Sequence, residues 1–105
     1  MSESVPPMSE AMYYILLSLQ QPAHGYGMIQ RVKALSAGRV VLGPGTLYGV
    51  LNRMKKDGWI TLTAEDDRRK IYSITALGQA ALQVEYQRIR QMVLDGAGLI
   101  KEESI

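Results

Sequence analysis

The run from Ala11 to Leu19 restricts the fold more than any other segment. Eight of its nine residues are apolar, Ser18 being the exception. Ser9 is placed to cap a helix over it, and a helix that is apolar nearly all round has to be covered on more than one side. Met12, Ile15, Leu16 and Leu19 form the ordinary core stripe, while Tyr13 and Leu17 lie outside it. Those two either belong to a central core helix or face a second subunit. The run is too short for a bilayer, which takes roughly 20 residues.

The chain has 105 residues, enough for one domain, and 47% are hydrophobic. A chain this short buries a modest share of its surface, so pairing with a second copy is expected. The formal net charge of +2 is too mild to name a partner; where the bases sit matters more. The absence of cysteine excludes disulfide staples, thiol catalysis and cysteine zinc sites. The polar, proline-bearing first ten residues do not read as a signal peptide. A soluble, cytoplasmic protein with no membrane association is expected.

Gln20-Gln21-Pro22 breaks the chain, and a second helix is predicted from about His24 to Leu35, with Met28, Ile29, Val32 and Leu35 as its buried stripe. Arg39-Val40-Val41-Leu42 reads as a short extended piece, a candidate edge strand. The third helix has the clearest punctuation: Gly43 as N-cap, Pro44 at the first helical position and Gly58 just past the end. Leu47, Val50, Leu51 and Met54 recur within it at i, i+3, i+4 and i+7. Trp59 to Thr63 reads as a strand, Ala64 to Arg68 as a polar turn, and Arg69 to Ile74 as the return strand with Tyr72 and Ile74 inward. Thr75 caps a long last helix to about Asp95. The predicted fold is mainly α with a β-hairpin: a winged helix-turn-helix over residues 9–75, a C-terminal dimerisation helix over 76–100, a flexible start over 1–8 and a loose tail over 101–105.

Enzymatic chemistry finds no support. His24, the single histidine, has no ligand-spaced partner for a metal, Asp66-Asp67 fall on a predicted turn, and Gly43-Pro44-Gly45-Thr46 lacks the ending of a phosphate-cradling loop. No cofactor and no metal are expected. The third helix offers a different chemistry. Its outer side presents Thr46, Gly49, Asn52, Arg53 and Lys56, with Tyr48 on the flank. A rod near 20 Å long suits the major groove. Asn can bond adenine and Arg guanine in two places each, whereas Lys56 and Tyr48 suit phosphate oxygens. Any helix in water carries polar residues outside, so none of these is decisive singly. Arg68, Arg69 and Lys70 at the hairpin add a second basic element that can neutralise phosphates or enter the minor groove, although Glu65, Asp66 and Asp67 are near enough to pair with them. In the last helix, Leu82, Tyr86, Ile89 and Val93, with Met92 beside them, form one apolar stripe. Leu77, Ala81 and Val84 form a second, assigned to the chain's own core. Two apolar faces on a terminal helix predict a dimer interface, to which Tyr13 and Leu17 are added from the first helix.

These segments, in this order, resemble the PadR family of bacterial transcriptional regulators. The matching pieces are Tyr13-Tyr14-Ile15-Leu16, His24-Gly25-Tyr26-Gly27, Gly45-Thr46-Leu47-Tyr48, Leu51-Asn52-Arg53-Met54, Asp57-Gly58-Trp59-Ile60, Asp67-Arg68-Arg69-Lys70-Ile71-Tyr72 and Thr75-Ala76-Leu77-Gly78. The resemblance implies a homodimeric repressor of nearby promoters that is released by a ligand or stress signal, and a dimer of this kind is expected to bind an inverted repeat in double-stranded DNA. It assigns Thr46, Tyr48 and Asn52 to the recognition helix, Arg68 to Lys70 to the wing, and Tyr26 to a position near the DNA backbone. A single C-terminal helix matches the small subgroup. Some small members hold planar aromatic drugs between subunits on a tryptophan of the last helix; here that helix has only Tyr86, and Trp59 stands in the wing strand. The rival expectations are a protein-binding winged-helix module and a ligand sensor with little DNA role.

Overall fold

A computed structural model of the chain describes residues 7–66 and 69–101, the side chain of residue 66 excepted. Seven elements follow in order: α1 (Glu10–Ser18), β1 (Ala23–His24), α2 (Gly25–Leu35), α3 (Pro44–Lys56), β2 (Ile60–Asp66), β3 (Arg69–Ile74) and α4 (Ala76–Gly96). The architecture is mainly helical, with one small antiparallel sheet of order β1-β3-β2. Residues 67 and 68, and with them the expected contributions of Asp67 and Arg68, lie outside the described residues, as do 1–6 and 102–105.

The apolar run forms α1, and Ser9 caps it as its hydroxyl accepts from the Met12 amide. Ile15, Leu16 and Leu19 are enclosed by Met28 and Val32 of α2, Leu47, Leu51 and Met54 of α3, Ile60 and Tyr72 of the sheet, and Leu82 of α4. Ser18, the polar interruption, is buried but satisfied, its hydroxyl donating to the Ile15 carbonyl at 2.6 Å. Arg31 of α2 clamps the turn after α1 by donating to the Ser18 and Gln21 carbonyls at 2.9 and 2.8 Å. Tyr13 and Leu17 are partly buried against the same core.

The punctuation of α3 works as the sequence predicts. Gly58 has a φ of +81°, where a side chain would be strained. The Gly58 and Trp59 amides then return to the carbonyls of Lys55 and Met54, closing the helix with the paired bonds of a Schellman motif.

Four expectations are corrected. Leu35 is 56% exposed rather than buried, because α2 ends there and its last turn passes beyond the core. Residues 39–42 form no strand: Val40 and Leu42 are buried and Val41 exposed, so the alternation exists without a partner strand. The third strand is Ala23–His24, which pairs with Tyr72 and Ile71. The hairpin also runs further than predicted. A register shift between Leu62 and Ala64 carries the ladder outward, so that Ala64, Glu65 and Asp66 stand opposite Ile71, Lys70 and Arg69. The start is not loose up to residue 8, since Met8 packs against the core.

The largest correction concerns α4. Thr75 caps it by accepting from Gly78, while its hydroxyl donates to the Gly58 carbonyl and its amide to that of Trp59. Gly78 lies so close to the sheet that a Cβ there would stand 2.0 Å from the Trp59 carbonyl oxygen. This docking fixes the helix's rotation. Gly78, Leu82 and Glu85 face inward, so Leu82 belongs to the chain's own core and not to a dimer surface. Leu77 and Val84, assigned by sequence to the core, are 58% and 66% exposed. The buried Glu85 is paired with Arg88, and that hydrogen bond holds its carboxyl below the usual carboxylate range against the opposing effect of burial. Beyond Ile89 the helix leaves the core, exposing Met92, Val93 and Leu94. The radius of gyration is 15.4 Å, against about 13 Å for a compact chain of this size.

Two glycine substitutions separate close packing from open helix surface. Gly78→Ala should lower stability by about 1–3 kcal/mol, since the obstacle is backbone. Gly49→Ala, where an added Cβ meets nothing within 4 Å, should raise it by about 0.5–1 kcal/mol through helix propensity. Urea unfolding midpoints of both variants test the contrast.

Candidate nucleic-acid interface

The outward face of α3 follows from its inward one. With Leu47, Leu51 and Met54 buried, the 100° step leaves Gly45, Gly49, Asn52 and Lys56 along the opposite line, Tyr48 on one flank and Thr46 and Arg53 on the other. All seven are exposed, and nothing lies within 4 Å of where a Cβ would sit on Gly45 or Gly49. The helix backbone is therefore bare along part of this face. Thirteen residues give a rod of about 20 Å.

Tertiary structure joins this face to two others. A cleft of about 420 Å³ is lined by His24, Gly25 and Tyr26 at the start of α2, Tyr48 and Asn52 of α3, and Arg69, Lys70 and Tyr72 of β3. Five of the residues singled out from sequence thus meet on one surface: Tyr26, Tyr48, Asn52, Arg69 and Lys70. Thr46, Gly49, Arg53 and Lys56 stay outside the cleft on the same helix. Arg53 shares its charge with Asp57 at 3.4 Å, a well-exposed pair that holds it weakly. Arg68 lies outside the described residues. On the hairpin the register sets Lys70 across from Glu65 and Arg69 across from Asp66, so each base has an acid as its cross-strand neighbour.

Sequence reasoning missed His24, Gly25 and Tyr72 as members of this site. Tyr72 is buried beneath it, and that burial, then the nearby Tyr48, pushes its phenol pKa up. Gly25 has a specific role. A Cβ on it would stand 2.4 Å from the Tyr48 hydroxyl oxygen and 3.2 Å from Leu47 Cδ2, so the missing side chain is the space in which Tyr48 lies. The only sequence signal for this was two glycine–aromatic clusters of unknown relation. Their contact is long-range, between α2 and α3.

The family model for the transcriptional regulator PadR-like family matches residues 15–84, from the middle of α1 to the middle of α4. The chain belongs to the PadR-like family of transcriptional regulators. Its fold is similar to that of a PadR family transcription regulator from Clostridium difficile R20291, with a TM-score of 0.75 at 20% identity, covering 89% of this chain and all of that one. A PadR-like transcriptional regulator from Bacillus cereus is 26% identical with a TM-score of 0.70, covering 89% of this chain and 93% of its own. An uncharacterized 37.1 kDa protein in a transposon of Streptomyces fradiae is 31% identical over 78 residues, which is 73% of this chain and 22% of that protein. The chain therefore spans about a fifth of that curated relative's length. PadR-like proteins are regulators of transcription, not enzymes. Among the described residues no helix is long and apolar enough to cross a membrane.

The PadR-like assignment leaves the Gly25–Tyr48 contact as a testable piece of local physics. Gly25→Ala should cost about 1 kcal/mol or less, because a tyrosine can swing outward. The cost should shrink in the Tyr48→Ala background, giving a coupling energy that a double-mutant unfolding cycle measures. Additive effects would show that the two residues do not share this space.

Proposed function

We propose that the chain is a sequence-specific DNA-binding regulator that acts as a homodimeric repressor. The observation that carries the reading is the cleft in which a recognition helix, the start of α2 and the wing strand present Tyr26, Tyr48, Asn52, Arg69 and Lys70 together. In this reading α3 enters the major groove. Asn52 reads a base edge, with Thr46 and Arg53 beside it, and bare backbone at Gly49 allows close approach. Tyr26, Tyr48 and Lys56 contact the phosphate backbone, while the wing cations Arg68, Arg69 and Lys70 neutralise phosphates alongside. The two-fold axis sets two such helices about one DNA turn apart, roughly 34 Å, on an inverted repeat.

The support for a dimer is the unpartnered far end of α4. Tyr86, Met92 and Val93 are exposed there and Ile89 partly so, with Tyr13 and Leu17 of α1 as further members. A second apolar groove of about 340 Å³, between Met8, Trp59, Leu77, Ala81 and Val84, lies on the other flank of the same helix. Release by a ligand or stress signal follows from the family resemblance.

Selection of bound fragments from random duplex DNA, followed by anisotropy titrations at several salt concentrations, tests the reading. Lys70→Ala or Lys56→Ala should weaken binding to all duplexes and reduce the salt slope by about one. Asn52→Ala should relax preference at one base pair, worth about 1–3 kcal/mol. Retention of no duplex at low salt would defeat the proposal.

Sedimentation tests the dimer. The wild-type chain should sediment at twice its mass, and Val93→Glu should shift it to monomer and weaken binding to the selected duplex. A Val93→Glu protein that stays dimeric would place the interface elsewhere.

A further inference from the structure

His24 stands where β1 ends and α2 begins, with extended backbone angles (φ −91°, ψ 169°) in the N-cap position, yet its side chain makes no capping hydrogen bond. Its pairing with Ile71 ties it to the root of the wing. The ring is partly buried and lies against the first turn of α2: a Cβ on Gly27 would stand 3.7 Å from Nδ1 and 3.9 Å from Cε1. Among the described residues, His24 Nδ1 is the one buried side-chain nitrogen or oxygen that has no hydrogen-bond partner. His24 also lines the cleft, with Tyr26, Tyr48, Asn52, Arg69 and Lys70.

A buried nitrogen without a partner is most costly when it carries a proton, because the N–H is then an unmet donor. Here the neighbouring charge decides between the two tautomers. The first turn of a helix presents open amide N–H groups and the positive end of its dipole. A bare Nδ1 lone pair is favoured against that end, and an Nδ1–H is opposed by it. The ring proton then belongs on Nε2, which becomes the donor of the ring.

Resting on the DNA-binding reading above, we propose that His24 donates a hydrogen bond from Nε2 to a phosphate oxygen of the DNA seated in this cleft. Its partners at that phosphate are the Tyr48 hydroxyl and the Lys70 ammonium. Lysine contributes through charge and releases a counterion. A ring holding its single proton on Nε2 contributes a directed hydrogen bond without one. His24 therefore fixes the path of the backbone between α2 and the wing, and adds affinity that salt does not titrate away.

The single histidine gives one pair of imidazole nitrogen resonances that need no assignment. Long-range proton–nitrogen NMR of the wild-type protein should show the Nε2–H form. Adding the duplex recovered by selection should move Nε2 and slow exchange of its proton while leaving Nδ1 nearly unmoved. His24→Ala should lower affinity roughly tenfold with the salt slope unchanged, in contrast to Lys70→Ala, and His24→Gln should recover part of the loss through its amide donor. An Nδ1–H tautomer, or ring resonances unmoved by a duplex that the protein demonstrably binds, overturns the assignment while leaving the DNA-binding reading intact. Failure to bind any duplex removes both. If the variants do not fold, the wild-type resonances decide alone.

Discussion

Enclosure of α1 is the constraint on which the remaining structure depends. Ile15, Leu16 and Leu19 are almost wholly removed from water, and each such side chain is worth about 1.5–3 kcal/mol. No surface contact competes with this. The Arg39–Glu10 pair that joins α1 to the loop before α3 has both side chains 60% exposed, and such pairs contribute about 0–1 kcal/mol. A rod that is apolar on several sides can be satisfied only by several neighbours at once, so α2, α3, α4 and the sheet are all recruited to it. Their mutual arrangement, and with it the juxtaposition of α2, α3 and the wing at the cleft, is a consequence of covering α1.

Glycines set how closely those neighbours approach. At Gly78 the helix backbone rests on the Trp59 carbonyl, which fixes the rotation of α4 and decides which of its apolar lines is spent on the core. At Gly25 the missing side chain receives Tyr48, coupling the start of α2 to the recognition helix. Gly45 and Gly49 differ from both: nothing within the described chain approaches them, and they weaken α3 as an isolated helix. A helix that carries two such residues on its outer line has given up stability for a smooth surface, which suits an occupant from outside the chain.

The site combines elements whose charges differ in purpose. Arg53 is partly engaged by Asp57, and the wing strand sets an acid across from each of its described bases. The net charge is only +2, and two of the bases, Arg69 and Lys70, line the cleft. Tyr26, Tyr48, Asn52 and His24 occupy the same cleft. In the proposed reading, cations supply long-range attraction to phosphate, and hydrogen-bond donors supply direction at short range.

Local chemistry was sufficient to write the order of the four helices and the hairpin. Ser9 and Thr75 cap their helices through side-chain oxygens, Pro44 and Gly58 bound α3, and each acts within four residues of itself, so no knowledge of the fold is needed. The periodicity of Leu47, Leu51 and Met54 likewise names the outer face of α3, because one face is deeply buried and the other is its geometric complement. Tertiary structure alone decided the rest. Periodicity shows which residues of α4 share a face but not which face meets a neighbour; the Gly78–Trp59 contact made that choice, burying Leu82 and exposing Leu77 and Val84. The two-residue β1 is too short to have a period, and it exists only because β3 lies beside it. His24 has no ligand-spaced neighbour in the sequence. Its significance lies in a buried nitrogen without a partner and in a shared cleft with wing residues nearly fifty positions away, a relation that belongs to space and not to the chain.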